Sequence, residues 1–247
     1  AAIENNAFGT RNLVSACLAS GVKRFVLVST DKAVEPLCVY GASKFLSERL
    51  VLDAQDRAGA GEHYMVVRFG NVLGSRGSIL PLFKGQVERG GPVTVTDPAA
   101  SRYFMTIPEA CSLVLKTGGV GLGGESYLLD MGEPILIREL AEQVIRFSGL
   151  RPYDDIAIEY IGLRPGERLE ERLYSPDESL AATEFHKINR LERHGPRFDL
   201  EAAMRALEPI CFRSDDRPDA YRNRRRLRAA LRSFIPTVEE LPDEPEY

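Results

Sequence analysis

Apolar residues recur at helical spacing through Ala7, Phe8, Leu13, Val14, Ala16, Cys17 and Leu18, and Gly21 then interrupts the pattern. That predicts an amphipathic helix ending just before the glycine. A continuous apolar run follows, Phe25-Val26-Leu27-Val28, bounded by Lys23-Arg24 and by Ser29-Thr30-Asp31. Such a run predicts a strand covered on both faces, as in a parallel sheet. Phe45, Leu46, Leu50, Val51 and Leu52 restore the helical spacing from near Tyr40, with Gly59-Ala60-Gly61 as the stop. Residues 64–69 then read as a second buried strand. Helix, buried strand, helix, buried strand specifies an α/β fold whose functional groups lie beyond the carboxyl ends of the strands.

From Gly74 onward, Gly, Pro and Ser punctuate short elements at 79–88, 93–96 and 107–116, which predict a smaller lobe built on the first. Residues 126–130 predict a further strand of the main sheet, and 137–148 another amphipathic helix. Beyond about Asp177 the chain becomes charge-rich. The expected organisation is a core unit over 1–178 and a charged C-terminal extension over 179–247, with Arg222 to Arg228 on a solvated helix face and a loose tail from Leu241. A dinucleotide fold normally opens with a strand, a Gly-x-(x)-Gly-x-x-Gly turn and a helix whose N-terminus holds a pyrophosphate. No glycine cluster has that context, Gly118 to Gly124 included. The fold class expected is therefore the C-terminal part of a Rossmann-type parallel sheet with a small substrate-binding lobe, belonging to a longer polypeptide.

Composition narrows the class. A 44% hydrophobic content over 247 residues is enough for a sizeable core. A net charge of -4 gives no reason to expect nucleic acid or an anionic membrane surface as partner. Cys17, Cys38, Cys111 and Cys211 stand far apart without ligand spacing, so neither a metal site nor a disulfide framework is expected, in keeping with a reducing cytoplasm.

The chemistry-bearing residues gather after the first two strands. Tyr40-Gly-Ala-Ser-Lys44 places a phenol and an ammonium four apart on one helix face. A neighbouring cation stabilises phenolate and prepares it to exchange a proton with a sugar hydroxyl during hydride transfer. Thr30-Asp31-Lys32 sits at the carboxyl end of the first strand, where parallel sheets present their ligands. Dehydrating a sugar across C5 and C6 needs a base and an acid. Lys32 serves as the base if the site depresses its pKa, Asp31 held protonated serves as the acid, and Thr30 positions either group. Standing alone, the pair reads first as a turn cap at Asp31 and a solvated cation at Lys32.

Asn5-Asn-Ala-Phe-Gly-Thr10, Ser29-Thr-Asp-Lys-Ala33, Val39-Tyr-Gly-Ala-Ser-Lys44 and Arg68-Phe-Gly-Asn-Val-Leu-Gly74 arrive in that order. Ser101-Arg-Tyr-Phe-Met-Thr106, Leu129-Asp-Met-Gly-Glu-Pro134 and Leu163-Arg-Pro-Gly-Glu167 follow them. The set resembles the CapD-like polysaccharide biosynthesis family of extended short-chain dehydrogenases, which contains UDP-N-acetylglucosamine 4,6-dehydratases, and covers roughly residues 1 to 178. The resemblance implies NAD as cofactor and a UDP-sugar as substrate. It implies Tyr40 as the active-site tyrosine, Lys44 on the nicotinamide ribose, Asp31 and Lys32 as the dehydration pair, and Asn5 near the cofactor. Asn71, Arg102 and Arg164 match substrate positions, the arginines at the nucleotide diphosphate. On spacing alone Asn5 is equally a helix cap, Asn71 a turn residue, and both arginines ordinary surface groups. Part of the pattern is similar to the family's membrane-anchored branch, which often carries Met where this chain has Tyr40, so the outcome at C5 stays open. Related sugar enzymes commonly pair through helices like those at 7–20 and 41–57, implying a homo-oligomer. A nucleotide-sugar C4 epimerase, which needs the Tyr-Lys pair but not Asp31 and Lys32, and a catalytically inactive dehydratase fragment are the alternatives.

Overall fold

A π-helical turn, Ile3–Phe8, leads into α1 (Gly9–Ala19). Gly21 stops it from the left-handed region at φ 63°. There the amides of Val22 and Gly21 return to the carbonyls of Cys17 and Leu18, satisfying the last turn as a glycine cap does. The chain continues through β1 (Arg24–Thr30), a 3₁₀ turn (Asp31–Ala33), α2 (Val39–Gln55) and β2 (His63–Phe69). Next come β3 (Asn71–Leu73), α3 (Ile79–Glu88), β4 (Val93–Val95), β5 (Ser101–Arg102), β6 (Phe104–Thr106) and α4 (Ile107–Val120). They are followed by β7 (Ser126–Leu129), β8 (Ile135–Leu136), α5 (Ile137–Phe147) and β9 (Ile158–Tyr160). The last elements are β10 (Glu178–Ala182), β11 (Ile188–Arg193), α6 (Leu200–Cys211) and α7 (Arg224–Phe234). This computed structural model describes residues 1–75, 77–213 and 219–246.

Five strands form the main sheet in the order β1-β2-β7-β11-β10. The first three run parallel, and β11 and β10 join antiparallel. Alternation along β2 creates three layers. Tyr64 and Val66 pack with Val14, Val51 and Ala54 of α1 and α2, while Met65 and Val67 turn to the other face with Ala110 of α4. Burying each such side chain is worth about 1.5–3 kcal/mol. Thr30 lies opposite Phe69 in the register, so the chain leaves β1 and β2 side by side at one end of the sheet.

Two expectations are corrected by this topology. β1 is an edge strand among the described residues, and Val28 is 46% exposed, so the run predicted to be covered on both faces is covered only in part. Residues 179–193 belong with the sheet. In β11, Ile188 and Leu191 are buried while Arg190 and Arg193 are exposed, so a strand of the sheet reads in sequence as a charged stretch.

A second core made by Phe83, Val87, Val93, Val95, Ile145 and Ile158 forms the smaller lobe from α3, β4, α5 and β9. Beyond the sheet, α6 and α7 close over the π-helical turn and α2, with Met204, Leu207 and Leu231 against Ile3, Phe8 and Leu46. Arg224, Arg225 and Arg226 are exposed as expected, but Arg228 pairs with Glu244 and thereby ties down most of the segment read as a loose tail. Tyr247 lies outside the described residues. No helix among the described residues is long and apolar enough to cross a membrane.

An ion cluster lies under the parallel strands. Arg68 of β2, 1% exposed, donates from Nε and Nη2 to the two carboxylate oxygens of Glu48 on α2, at 3.1 and 2.7 Å. Its Nη1 donates to Glu178 of β10 at 2.9 Å. Ser29 of β1 donates to Glu48 at 2.6 Å. Four elements that meet beneath the candidate site are thus tied together by charge-assisted bonds.

Candidate active site

Parallel exit from β1 and β2 places Thr30, Asp31 and Lys32 against Asn71. Thr30 Oγ1 donates to Asp31 Oδ1 at 2.7 Å, and Lys32 Nζ donates to the same oxygen at 2.9 Å and to Asn71 Oδ1 at 3.5 Å. The Asp31 side chain has no exposed surface, whereas that of Lys32 is 33% exposed. Asp31 Oδ2 is buried with no partner among the described residues. It lies where a Cβ on Gly70 would approach to 3.2 Å, so the glycine in Arg-Phe-Gly-Asn makes room for this carboxylate.

The surroundings of the pair bear on the roles expected for it. Burial pulls the Lys32 ammonium down, but the Asp31 and Glu171 carboxylates outweigh it and leave Lys32 above its usual range. That favours the ammonium form of Lys32. Asp31 is enclosed by its own turn and by Gly70, and its bonds go to Thr30 and Lys32.

Helix α2 docks flush on the same turn. A Cβ at Gly41 would stand 2.3 Å from the Lys32 carbonyl oxygen and 2.9 Å from Pro36 Cβ, so only glycine lets the start of α2 pack this closely on the turn that carries Lys32. Replacing Gly41 by Ala is expected to cost about 1–3 kcal/mol, read as a lowered urea midpoint, because the contact is backbone that has no side chain to move. Tyr40 is 47% exposed at the start of α2. One turn on, Lys44 Nζ donates to the Val28 carbonyl at 2.8 Å, and burial holds its ammonium below the usual value against the opposing pull of Glu48.

The residues matched to the substrate fall partly together. Asn71, Arg102 and Arg164 line one cleft of about 370 Å³ with Ser78, Thr96 and Glu167. Arg164 is exposed there. Arg102 is 8% exposed and already engaged: it donates to Glu167 at 2.8 Å and to the carbonyls of Ser101 and Leu169 at 2.7 and 3.0 Å. A diphosphate reaches it only by displacing a carboxylate. Asn5 does not join the constellation. It is exposed inside the π-helical turn, and its neighbour Asn6 donates to Ser43 of α2 at 2.8 Å.

Glu171 was missed in the sequence. Its side chain is 7% exposed, and its carboxylate lies 3.7 Å from both Lys32 Nζ and Arg102 Nε. Burial pushes the carboxyl up, with Lys32 pulling the other way. Glu167, Glu170 and Glu171 are interleaved with Arg164, Arg168 and Arg172 and read as solvated surface; no local signal in the sequence marks Glu171.

The chain is similar to known proteins. A family model described as polysaccharide biosynthesis protein matches residues 1–193. The capsular polysaccharide biosynthesis protein CapD of Staphylococcus aureus is 49% identical over 189 residues, which are 76% of this chain and 31% of that protein. An inverting UDP-N-acetylglucosamine 4,6-dehydratase of Campylobacter jejuni is 34% identical over 74% of this chain and 53% of its own length. The chain thus spans about a third to a half of these relatives. The crystal structure of DesIV, a dTDP-glucose 4,6-dehydratase from Streptomyces venezuelae with NAD bound, superposes with a TM-score of 0.61 and 25% identity, covering 70% of this chain and 57% of that one.

Proposed function

This chain belongs to the polysaccharide biosynthesis protein family, and from that membership and the geometry of its site we propose that it carries the proton-handling half of a nucleotide-sugar 4,6-dehydratase acting on a UDP-N-acetylhexosamine, UDP-N-acetylglucosamine first among them. The observation that supports elimination over simple redox chemistry is the Asp31-Lys32 pair held beside Asn71. A C4 epimerase has no step that needs it.

Tyr40 and Lys44 suit a nicotinamide ribose. One is a half-exposed phenol, and the other is an ammonium that spends one donor on Val28 and keeps two. NAD held there supplies reversible hydride acceptance. Tyr40 takes the proton from the C4 hydroxyl as that carbon is oxidised, helped by the cation one turn away. The C5 hydrogen, acidified by the adjacent ketone, passes as a proton to the Lys32 amine. Lys32 then returns a proton to the departing C6 hydroxyl, which leaves as water. Asp31 stays throughout as the counterion that orients Lys32, and Thr30 fixes Asp31. Asn71 presents its amide beside the sugar. For the diphosphate, the exposed Arg164, the amino end of α3 and Ser78 Oγ, which has no partner among the described residues, provide donors in one cleft.

Incubating the longer polypeptide to which this chain is expected to belong with NAD and UDP-N-acetylglucosamine is expected to yield a product lighter by one water. A product of unchanged mass with inverted C4 would assign the epimerase reading instead.

A further inference from the structure

Glu171 stands between the two basic groups of the site. Lys32 faces an acceptor for each of its protons: Asp31 at 2.9 Å, Asn71 at 3.5 Å and Glu171 at 3.7 Å. An ammonium so engaged has no lone pair for a carbon acid. The charged groups around it are Asp31 on its own turn, Glu171 on the segment between β9 and β10, and Arg102 on β5, with Arg168 beside Glu171. The two carboxylates differ in freedom. Asp31 is enclosed and bonded to Thr30, while Glu171 has a second partner in Arg102 at the same 3.7 Å.

Resting on the reading of Lys32 as the group that takes the C5 proton, we propose that Glu171 is a positioning carboxylate that keeps Lys32 an ammonium ion while it faces it and frees it as an amine by moving onto Arg102. The proton released in that exchange passes to solvent water: one N–H bond of Lys32 breaks, one O–H bond forms on water, and no other reactant is required. The site is thereby armed only when the carboxylate has moved.

The test is competitive acetylation of Lys32 with acetic anhydride across pH, read by peptide mass spectrometry on the intact chain. In Glu171→Gln the half-point for Lys32 labelling is expected at least about one pH unit lower, near tenfold more labelling at a given pH below it. Glu171→Asp is expected to restore most of the wild-type half-point. Glu170→Gln, which removes an exposed neighbouring carboxylate bonded to neither Lys32 nor Arg102, is expected to leave it in place. An unmoved half-point in Glu171→Gln, or an equal shift in Glu170→Gln, overturns the proposal. In turnover of UDP-N-acetylglucosamine the acid limb of kcat is expected to move down by the same interval with KM little changed. If labelling shifts but no dehydrated product forms even in wild type, the dehydratase reading falls and the control of Lys32 by Glu171 stands. If product forms and labelling does not shift, the reverse holds.

Discussion

Arg68→Ala is expected to cost about 3–5 kcal/mol of folding stability, among the largest single effects in this chain, because it leaves two carboxylates buried without their cation. Arg68 binds Glu48 through two nitrogens and Glu178 through a third. Nothing else among the described residues offers a positive partner at that depth except Arg49, whose Nε is itself buried and unbonded. The pH dependence should weaken or reverse. In the wild type, burial would raise the Glu178 carboxyl, but Arg68 and the bonds from Ser175 outweigh it and hold it below its usual value. A depressed carboxyl contributes stability above its unfolded pKa, lost as pH falls through the folded one. Without Arg68 the burial penalty is opposed only by the bonds from Ser175, so the same carboxyl lies higher than in the wild type and the loss of stability on acidification shrinks or reverses. Urea midpoints should therefore fall on acidification in the wild type and rise, or fall less, in Arg68→Ala. Parallel curves would show that the cluster is not the ion network described.

Lys32→Ala is expected to lower the rate of dehydration by roughly a hundred- to ten-thousand-fold, the range for losing a positioned proton-transfer group. Both proton transfers of the elimination are assigned to this side chain, and its neighbours cannot replace it: Asp31 is enclosed, and Asn71 has no proton to exchange at neutral pH. Tyr40 and Lys44 remain untouched, so oxidation at C4 should persist, and the reduced nicotinamide should accumulate in the near-ultraviolet absorbance instead of being reoxidised. Equal loss of oxidation and dehydration would mean that Lys32 holds the site together and does not carry the proton.

The parts of this arrangement that follow local rules were legible in the sequence. Helix α3 occupies the predicted 79–88, α2 begins one residue before Tyr40, and Asp31, Lys32 and Asn71 meet because two parallel strands end at one edge. What stayed hidden depends on contacts distant along the chain. β1 has the composition of a central strand, and among the described residues no strand pairs with its outer side. Arg102 looked free for phosphate until a loop some 65 residues later brought Glu167 onto it. The Lys32 charge state could not be read from Asp31 alone, since Glu171 arrives from a stretch that resembles solvated surface. Gly41 and Gly70 are small for reasons set by backbone and carboxylate neighbours from other elements, invisible to spacing.

The most direct single measurement follows a deuterium placed on C4 of UDP-N-acetylglucosamine. If oxidation, elimination and hydride return all occur in one closed site, the label is expected on C6 of a product lighter by one water. A label still on C4, a label lost to solvent, or a product that retains its water would rule out the internal cycle assigned to Lys32, Tyr40 and Lys44.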